Sequence, residues 1–200
     1  MIDLVKCVFV VDGRTEIRSF KAKLRKEYQC EPDFLKHPGG GGDYNAQAYA
    51  NAVRGLIEVA LRGVYTRILC ITDRERRPLT AVNYASLIRT AIIDLVELST
   101  HHSRAELKQK ISVCVPDQMF ENWIIADVDG IKQCADLVKD AVEQEYFDGK
   151  NGKAILQQLM KVRYRNVQHA PVLFKQVTFQ RAACNSSSFC RFLQELQITN

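Results

Sequence analysis

Three short apolar runs in this chain each end in a pair of carboxylates. Asp12 and Glu16 follow "CVFVV", Asp73 and Glu75 follow "RILCIT", and Asp117 and Glu121 follow "ISVCV". Acids just after a strand can serve as caps for the helix that follows, because the free N–H groups there favour negative charge. Three pairs in the same position suggest more. Ligands of an open α/β sheet bind outside the carboxyl ends of its parallel strands, so these acids would meet at one edge. Converging carboxylates repel, and a divalent cation relieves that repulsion. Oxygen donors with no histidine beside them suit Mg²⁺ or Mn²⁺ rather than Zn²⁺. Asp12 and Glu16, four positions apart, can offer oxygens to one ion, and Gly13 is expected to let the backbone turn sharply between them.

The elements that must position these acids are legible in the apolar pattern. Residues 4–11, 67–72 and 111–115 are short runs rich in Val, Ile and Cys, as expected of strands buried on both faces. Between them, residues 15–26, 45–62 and 81–98 repeat apolar side chains at spacings of three and four, which predicts helices. Strand and helix in alternation predict an α/β fold with a parallel sheet. Residues 120–125, 131–143, 154–161 and 186–196 read as further helices, with a break at 127–130 and a turn at 149–152. The chain is therefore expected to be a single domain over residues 1–200, with a core of about 1–126 and a mostly helical C-terminal extension of about 127–200. Phe189, Phe192, Leu193 and Leu196 would give the last helix one apolar face.

Composition narrows the setting. The 200 residues carry a net charge of +5, compatible with a polyanionic partner without requiring one. Seven cysteines, an odd number with no C-x-x-C, fit a reducing cytoplasmic compartment and neither a disulfide framework nor a zinc site. The first apolar run is too short for a signal peptide and is broken by Asp3, Lys6 and Asp12; no stretch approaches a membrane span. The segment "PGGGGDYN" at residues 38–45 lacks the G-K-S/T ending of a nucleotide P-loop, which argues against ATP binding, and reads as a flexible loop or a close backbone approach to phosphate.

Four landmarks, "VVDGRTE", "ILCITDRE", "FENWIIAD" and "NSSSFCRFLQEL", together resemble a small family with a Toprim-like domain, whose members look like the nuclease-like partners of OLD-type or AAA-type ATPases. The resemblance spans residues 7–196. It implies a Toprim-like, Rossmann-like parallel sheet flanked by helices, a divalent metal held by Asp12, Glu16, Asp73 and Glu75, and Glu121 as a further catalytic acid. It also implies a metal-dependent phosphodiesterase acting on DNA or RNA in an ATPase-linked, defence-type system, or a catalytically degenerate subunit that regulates its ATPase or recognises nucleic acid. Homo-oligomers fit either case. The chain departs from the family pattern twice: an aspartate, Asp12, stands where a glutamate is usual, and D-x-E replaces D-x-D at Asp73 and Glu75. Each changes reach by one methylene, about 1.5 Å.

Other residues take supporting parts. Arg74, Arg76 and Arg77 flank the second acid pair and can hold substrate phosphates or line a solvated loop. "KVRYRNVQH" at 161–169 is a second basic stretch, either an exposed helix end or a patch that tracks a phosphate backbone. Trp123 is expected in the core beneath Glu121, and Ser186–188 as a helix cap.

Overall fold

The structure, a computed structural model, describes residues 4–40, 44–141 and 143–196. It is an α/β fold. Four parallel strands, β1 (Cys7–Val11), β2 (Asp33–Lys36), β3 (Arg67–Ile71) and β4 (Ile111–Cys114), lie in the order β2-β1-β3-β4. Helix α1 (Arg14–Tyr28) connects β1 to β2. Helix α2 (Ala46–Arg62) crosses back past β1 to β3, and α3 (Ala81–Glu97) with α4 (Arg104–Lys110) leads to β4. The chain thus winds outward from β1 to β2 on one side and to β3 and β4 on the other, so the topological switch point lies between β1 and β3, where a crevice opens at the carboxyl ends.

Side-chain alternation divides the strand residues between two cores. Val8, Val10, Ile68 and Cys70 face α2, α3 and α4 with Tyr49, Ile57, Ile88 and Leu107. Cys7, Phe9, Val11, Leu69 and Ile71 face the opposite way, into a cluster built by α1 and the C-terminal helices. Covering on both faces explains why these strands are apolar throughout. β2 is an edge strand and only half covered, and its "DFLK" has too few apolar residues to announce a strand.

The C-terminal part consists of α5 (Phe120–Ile125), α6 (Val128–Ile131), α7 (Gly152–Leu159), α8 (Asn166–Phe174), α9 (Phe179–Asn185) and α10 (Ser187–Glu195). It shares one core with α1. Phe20, fully buried, packs its ring against Phe9, Phe120, Trp123, Phe174 and Phe192 at centroid distances of 5.2–6.5 Å. Burying one such side chain contributes about 1.5–3 kcal/mol, and truncating it to alanine costs about 3–5 kcal/mol. Phe189, Phe192, Leu193 and Leu196 all lie in this core, so the last helix is packed on the domain, and Ser186 caps it by accepting from the Phe189 N–H.

One predicted helix does not form. Residues 132–141 are turns rather than the body of a helix over 131–143; Val142 lies outside the described residues. Ile131, Cys134, Leu137 and Val138 have helical spacing, but the next backbone groups pair elsewhere. The Lys139 N–H donates to Leu159 O and the Lys161 N–H to Leu137 O, in an antiparallel bridge of Val138 with Met160. Backbone groups need one partner each, and the neighbouring segment supplies it. The predicted break at 127–130 instead holds α6, whose first turn Asp127 caps by accepting from the Gly130 N–H at 2.9 Å.

Candidate functional site

The acids predicted from sequence gather at the switch point. Asp12 follows β1 directly, and its Oδ2 accepts from the Thr72 hydroxyl at 2.8 Å and from the Asp73 N–H at 3.3 Å. The ends of β1 and β3 are thereby tied through one carboxylate. An aspartate carboxylate lies within roughly 5 Å of its own nitrogen by standard bond lengths, so the Asp12 and Asp73 carboxylates share one neighbourhood. Beyond β3 the chain keeps company with the segment after β4: Thr72, Arg74 and Glu75 donate N–H groups to Cys114, Pro116 and Gln118 carbonyls. This holds Asp73 and Glu75 beside the start of α5, which carries Glu121. Glu75 adopts a left-handed backbone with φ of 55°.

Gly13 has a different task from the one its sequence position suggested. Its φ of −154° is extended backbone open to any residue, so no glycine is required for the turn. A Cβ there would lie 3.1 Å from Glu16 Oε2. Gly13 makes room for the Glu16 carboxylate, which folds back over the start of α1 and accepts from its own N–H. Glu16 is thus both a cap of α1 and a member of the acid cluster.

The electrostatics follow from burial and crowding. Burial pushes Asp12 up to about 6, with Glu75 adding to it, against the hydrogen bonds from Thr72 and the Asp73 N–H and the charge of Arg77. Burial, then the charges of Asp12 and Glu121, push Glu16 up to about 7, while its own N–H and Lys153 oppose. Asp73 rises well above the usual carboxylate range through burial and repulsion from Asp12, Glu16, Glu121 and Glu75. Glu121, only 2% exposed, rises through burial with Glu75 adding to it, though Lys153, its own N–H and the Tyr164 hydroxyl at 3.1 Å counteract this.

Two further members carried little sequence signal. Lys153, on α7, is held charged: burial works against its ammonium, but Glu121, Asp73, Glu75 and Glu16 together raise it above the usual lysine range. Tyr164, in the connection between α7 and α8, supplies the donor to Glu121. Both come from segments far from the acids in sequence, and only tertiary packing brings them in. Thr72 was inside the quoted motif and is its polar clamp.

The motif "FENW" divides its labour. Phe120 and Trp123 are core, with Trp123 Nε1 donating to Ser188 Oγ at 2.9 Å. Asn122 is buried and fully used: its Oδ1 accepts from the Gln118 and Met119 N–H groups, and its Nδ2 donates to Phe147 and Lys150 carbonyls. Glu121 alone faces the site.

The arginines of "ITDRERRP" largely build their own loop. Arg74 pairs with Asp117 and donates to the carbonyls of Arg77 and Leu79. Arg77 donates to the carbonyls of Tyr44, Asp73 and Arg74 and lies over the Tyr84 ring at 4.5 Å. Arg76 is exposed. Those bonds, rather than a phosphate cradle, account for Arg74 and Arg77. The glycine-rich loop begins beside the acids, where the His37 N–H donates to Val11 O at 2.8 Å, and a Cβ on Gly39 would strike the Tyr44 hydroxyl at 2.0 Å. Residues 41–43 of this loop lie outside the described residues.

Among the described residues, no three His, Cys, Asp or Glu side chains are disposed as a ready-made metal cluster, no disulfide joins the cysteines, and no helix is long and apolar enough to cross a membrane. The donors at the acid edge are nonetheless all oxygens. Mg²⁺ is commonly held by one or two carboxylates, with waters and substrate phosphate completing its sphere, and a set of this kind fits it. No family model matches the chain, and comparisons with curated proteins and with solved structures return no match.

Proposed function

We propose that this protein is a Toprim-like, metal-dependent phosphodiesterase that cuts nucleic acid. The observation that supports it most is the Asp12 carboxylate, clamped by Thr72 and the Asp73 N–H at the switch point of a parallel sheet and crowded by Glu16, Asp73 and Glu75. Asp12 and Asp73, with Glu16 or Glu75, would hold Mg²⁺ or Mn²⁺. When bound, such an ion lowers the pKa of water and neutralises charge on a phosphate under attack.

The chain's own groups supply the rest. Lys153, kept charged by its acid neighbours, attracts the phosphate and offsets the site's negative field. Glu121 holds a proton more tightly than an ordinary carboxylate, which suits exchange with water or with the leaving oxygen as the P–O bond breaks. Tyr164 fixes its Oε1 and so sets its orientation.

A second reading is a non-catalytic subunit that regulates a partner ATPase. It is favoured by the absence, among the described residues, of three acids already arranged around one point. Incubation with single-stranded DNA, duplex DNA and RNA, in Mg²⁺ and in Mn²⁺, separates the two. Cleavage by the wild type that is lost in Asp12→Asn and Asp73→Asn supports the enzyme. No cleavage of any substrate, and no heat of metal binding in calorimetry, overturns it in favour of the regulatory subunit.

A further inference from the structure

Next to the acid cluster is a cavity of about 460 Å³ lined by Lys153, Arg163, Tyr164, Arg165 and Asn166. We infer that this cavity is the groove by which the protein grips the phosphate backbone of a single-stranded nucleic acid and leads it to the acids. The inference rests on the reading above and names its substrate.

Three observations carry it. The first is the state of the arginines. Arg67, Arg74, Arg77, Arg89, Arg104 and Arg181 spend their guanidiniums on carboxylates or carbonyls of the fold. Among the described residues, the guanidiniums of Arg163 and Arg165 have no hydrogen bond or ion pair of this kind and both side chains are exposed; Arg14, Arg18, Arg62, Arg76 and Arg191 are likewise uncommitted, but Arg163 and Arg165 are the two of this group that line one cavity. They stand two positions apart in a chain that has no helix or strand there, flanking Tyr164. Guanidinium matches phosphate oxygens with two parallel donors, so a pair of uncommitted ones along a groove is suited to successive phosphates.

The second is continuity with the site. Tyr164 forms the wall between the groove and the acids, and its hydroxyl lies 3.1 Å from Glu121 Oε1. Lys153 lines the groove and interacts with Glu121, Asp73, Glu75 and Glu16 on the other side. A strand lying on Arg163 and Arg165 therefore passes Lys153 before it reaches the carboxylates. The positive lip offsets the repulsion that a bare acid cluster would exert on a polyanion.

The third is shape. The cavity is an open hollow of small-molecule volume with one aromatic ring on its wall, which suits a flexible unpaired strand laid along it. A duplex keeps its bases paired and stacked, whereas an unpaired strand can lay a base against the Tyr164 ring.

Fluorescence anisotropy with a short labelled oligothymidylate, an oligouridylate and a DNA duplex tests the groove, with EDTA present so that binding is read without cleavage. The expected result is tighter binding of both single strands than of the duplex. Replacing Arg163 and Arg165 together by Gln should weaken single-strand binding by roughly tenfold or more and flatten its salt dependence by about 1.4 in the log–log slope, the share of two phosphates on a single strand. The Lys pair at the same positions should keep most of the salt dependence. Neither pair should change the melting temperature appreciably, since neither side chain is tied to the fold. Duplex bound as tightly as single strand, or unchanged binding in the Gln pair, overturns the groove. If the wild type binds single strands through these arginines yet cuts nothing with any metal, the groove stands and the nuclease fails. If it cuts and the Gln pair leaves KM unchanged, the nuclease stands and the groove fails.

Discussion

The hydroxyl of Tyr164 and the Oε1 of Glu121 meet at 3.1 Å, joining the connection between α7 and α8 to the carboxyl edge of the sheet. Glu121 is buried, and its remaining support is its own N–H and the charge of Lys153. Tyr164→Phe removes the donor and leaves a buried carboxylate oxygen short of a partner. It should cost about 1–3 kcal/mol in urea unfolding at pH 7. Recovery of that loss in the double variant with Glu121→Gln would show that the bond, rather than ring packing, is responsible.

Metal-free stability should fall as pH rises from about 4 to 7. The sign follows from the raised proton affinities. Asp12 goes from 3.8 to about 6 and Glu16 from 4.5 to about 7, so between those limits the folded chain holds protons that the unfolded chain has released. Their contribution is complete below the unfolded values and is lost as pH passes the folded ones. For Asp12 alone the change is on the order of 3 kcal/mol. Melting curves in EDTA should show the decline, Asp12→Asn should flatten its lower part, and excess Mg²⁺ or Mn²⁺ at pH 7–8 should restore about 2–3 kcal/mol at a hundredfold excess over Kd.

Asp127 is expected to be a stability residue rather than a catalytic one. It is 1% exposed and accepts from Arg181 at 2.7 and 3.0 Å, from the Thr178 N–H at 2.6 Å and from the Gly130 N–H at 2.9 Å. Asp127→Ala strands all of these and should cost about 3–5 kcal/mol. Arg181→Ala leaves the two backbone donors in place and should cost less than half as much. Equal costs in urea titrations would contradict this account.

Glu75→Gly separates strain from charge. A non-glycine residue at a φ of 55° costs about 1 kcal/mol or more relative to glycine, and Glu75 also repels Asp73 and Asp12. The variant should melt higher without metal. If Glu75 helps to hold the cation, the same variant should gain less from Mg²⁺ than the wild type does.

The strands and the acids that follow them were legible because a buried parallel strand leaves a continuous apolar run, and the residue that ends it is conspicuous. β1, β3, β4 and the packed face of α10 were readable for that reason. β2 was not, because this partly covered edge strand carries only two apolar residues, Phe34 and Leu35, one toward each core. The helix expected over 131–143 shows the limit of periodicity: Cys134 and Val138 have the spacing, but Leu159 takes the backbone bond instead. α4 was not read from the sequence, although "SRAE" carries its start signal: Ser103 and Glu106 form its capping box. α8 was obscured by Pro171 within it. At the site, Lys153 and Tyr164 have no local pattern that sets them apart, since their role comes from the distance chain packing closes between them and Glu121.

The ring of Phe20 also sets a condition on assembly. Its neighbours are far apart in sequence, Phe9 in β1 and Phe192 in α10. The helix that carries Glu16 therefore has no complete seat until the segment carrying Phe192 has docked on it. Glu121 likewise waits for Tyr164. Segments far apart in sequence must therefore dock on one another before the acids around Glu16 and Glu121 are held in place, so possessing the acids is not the same as possessing the site.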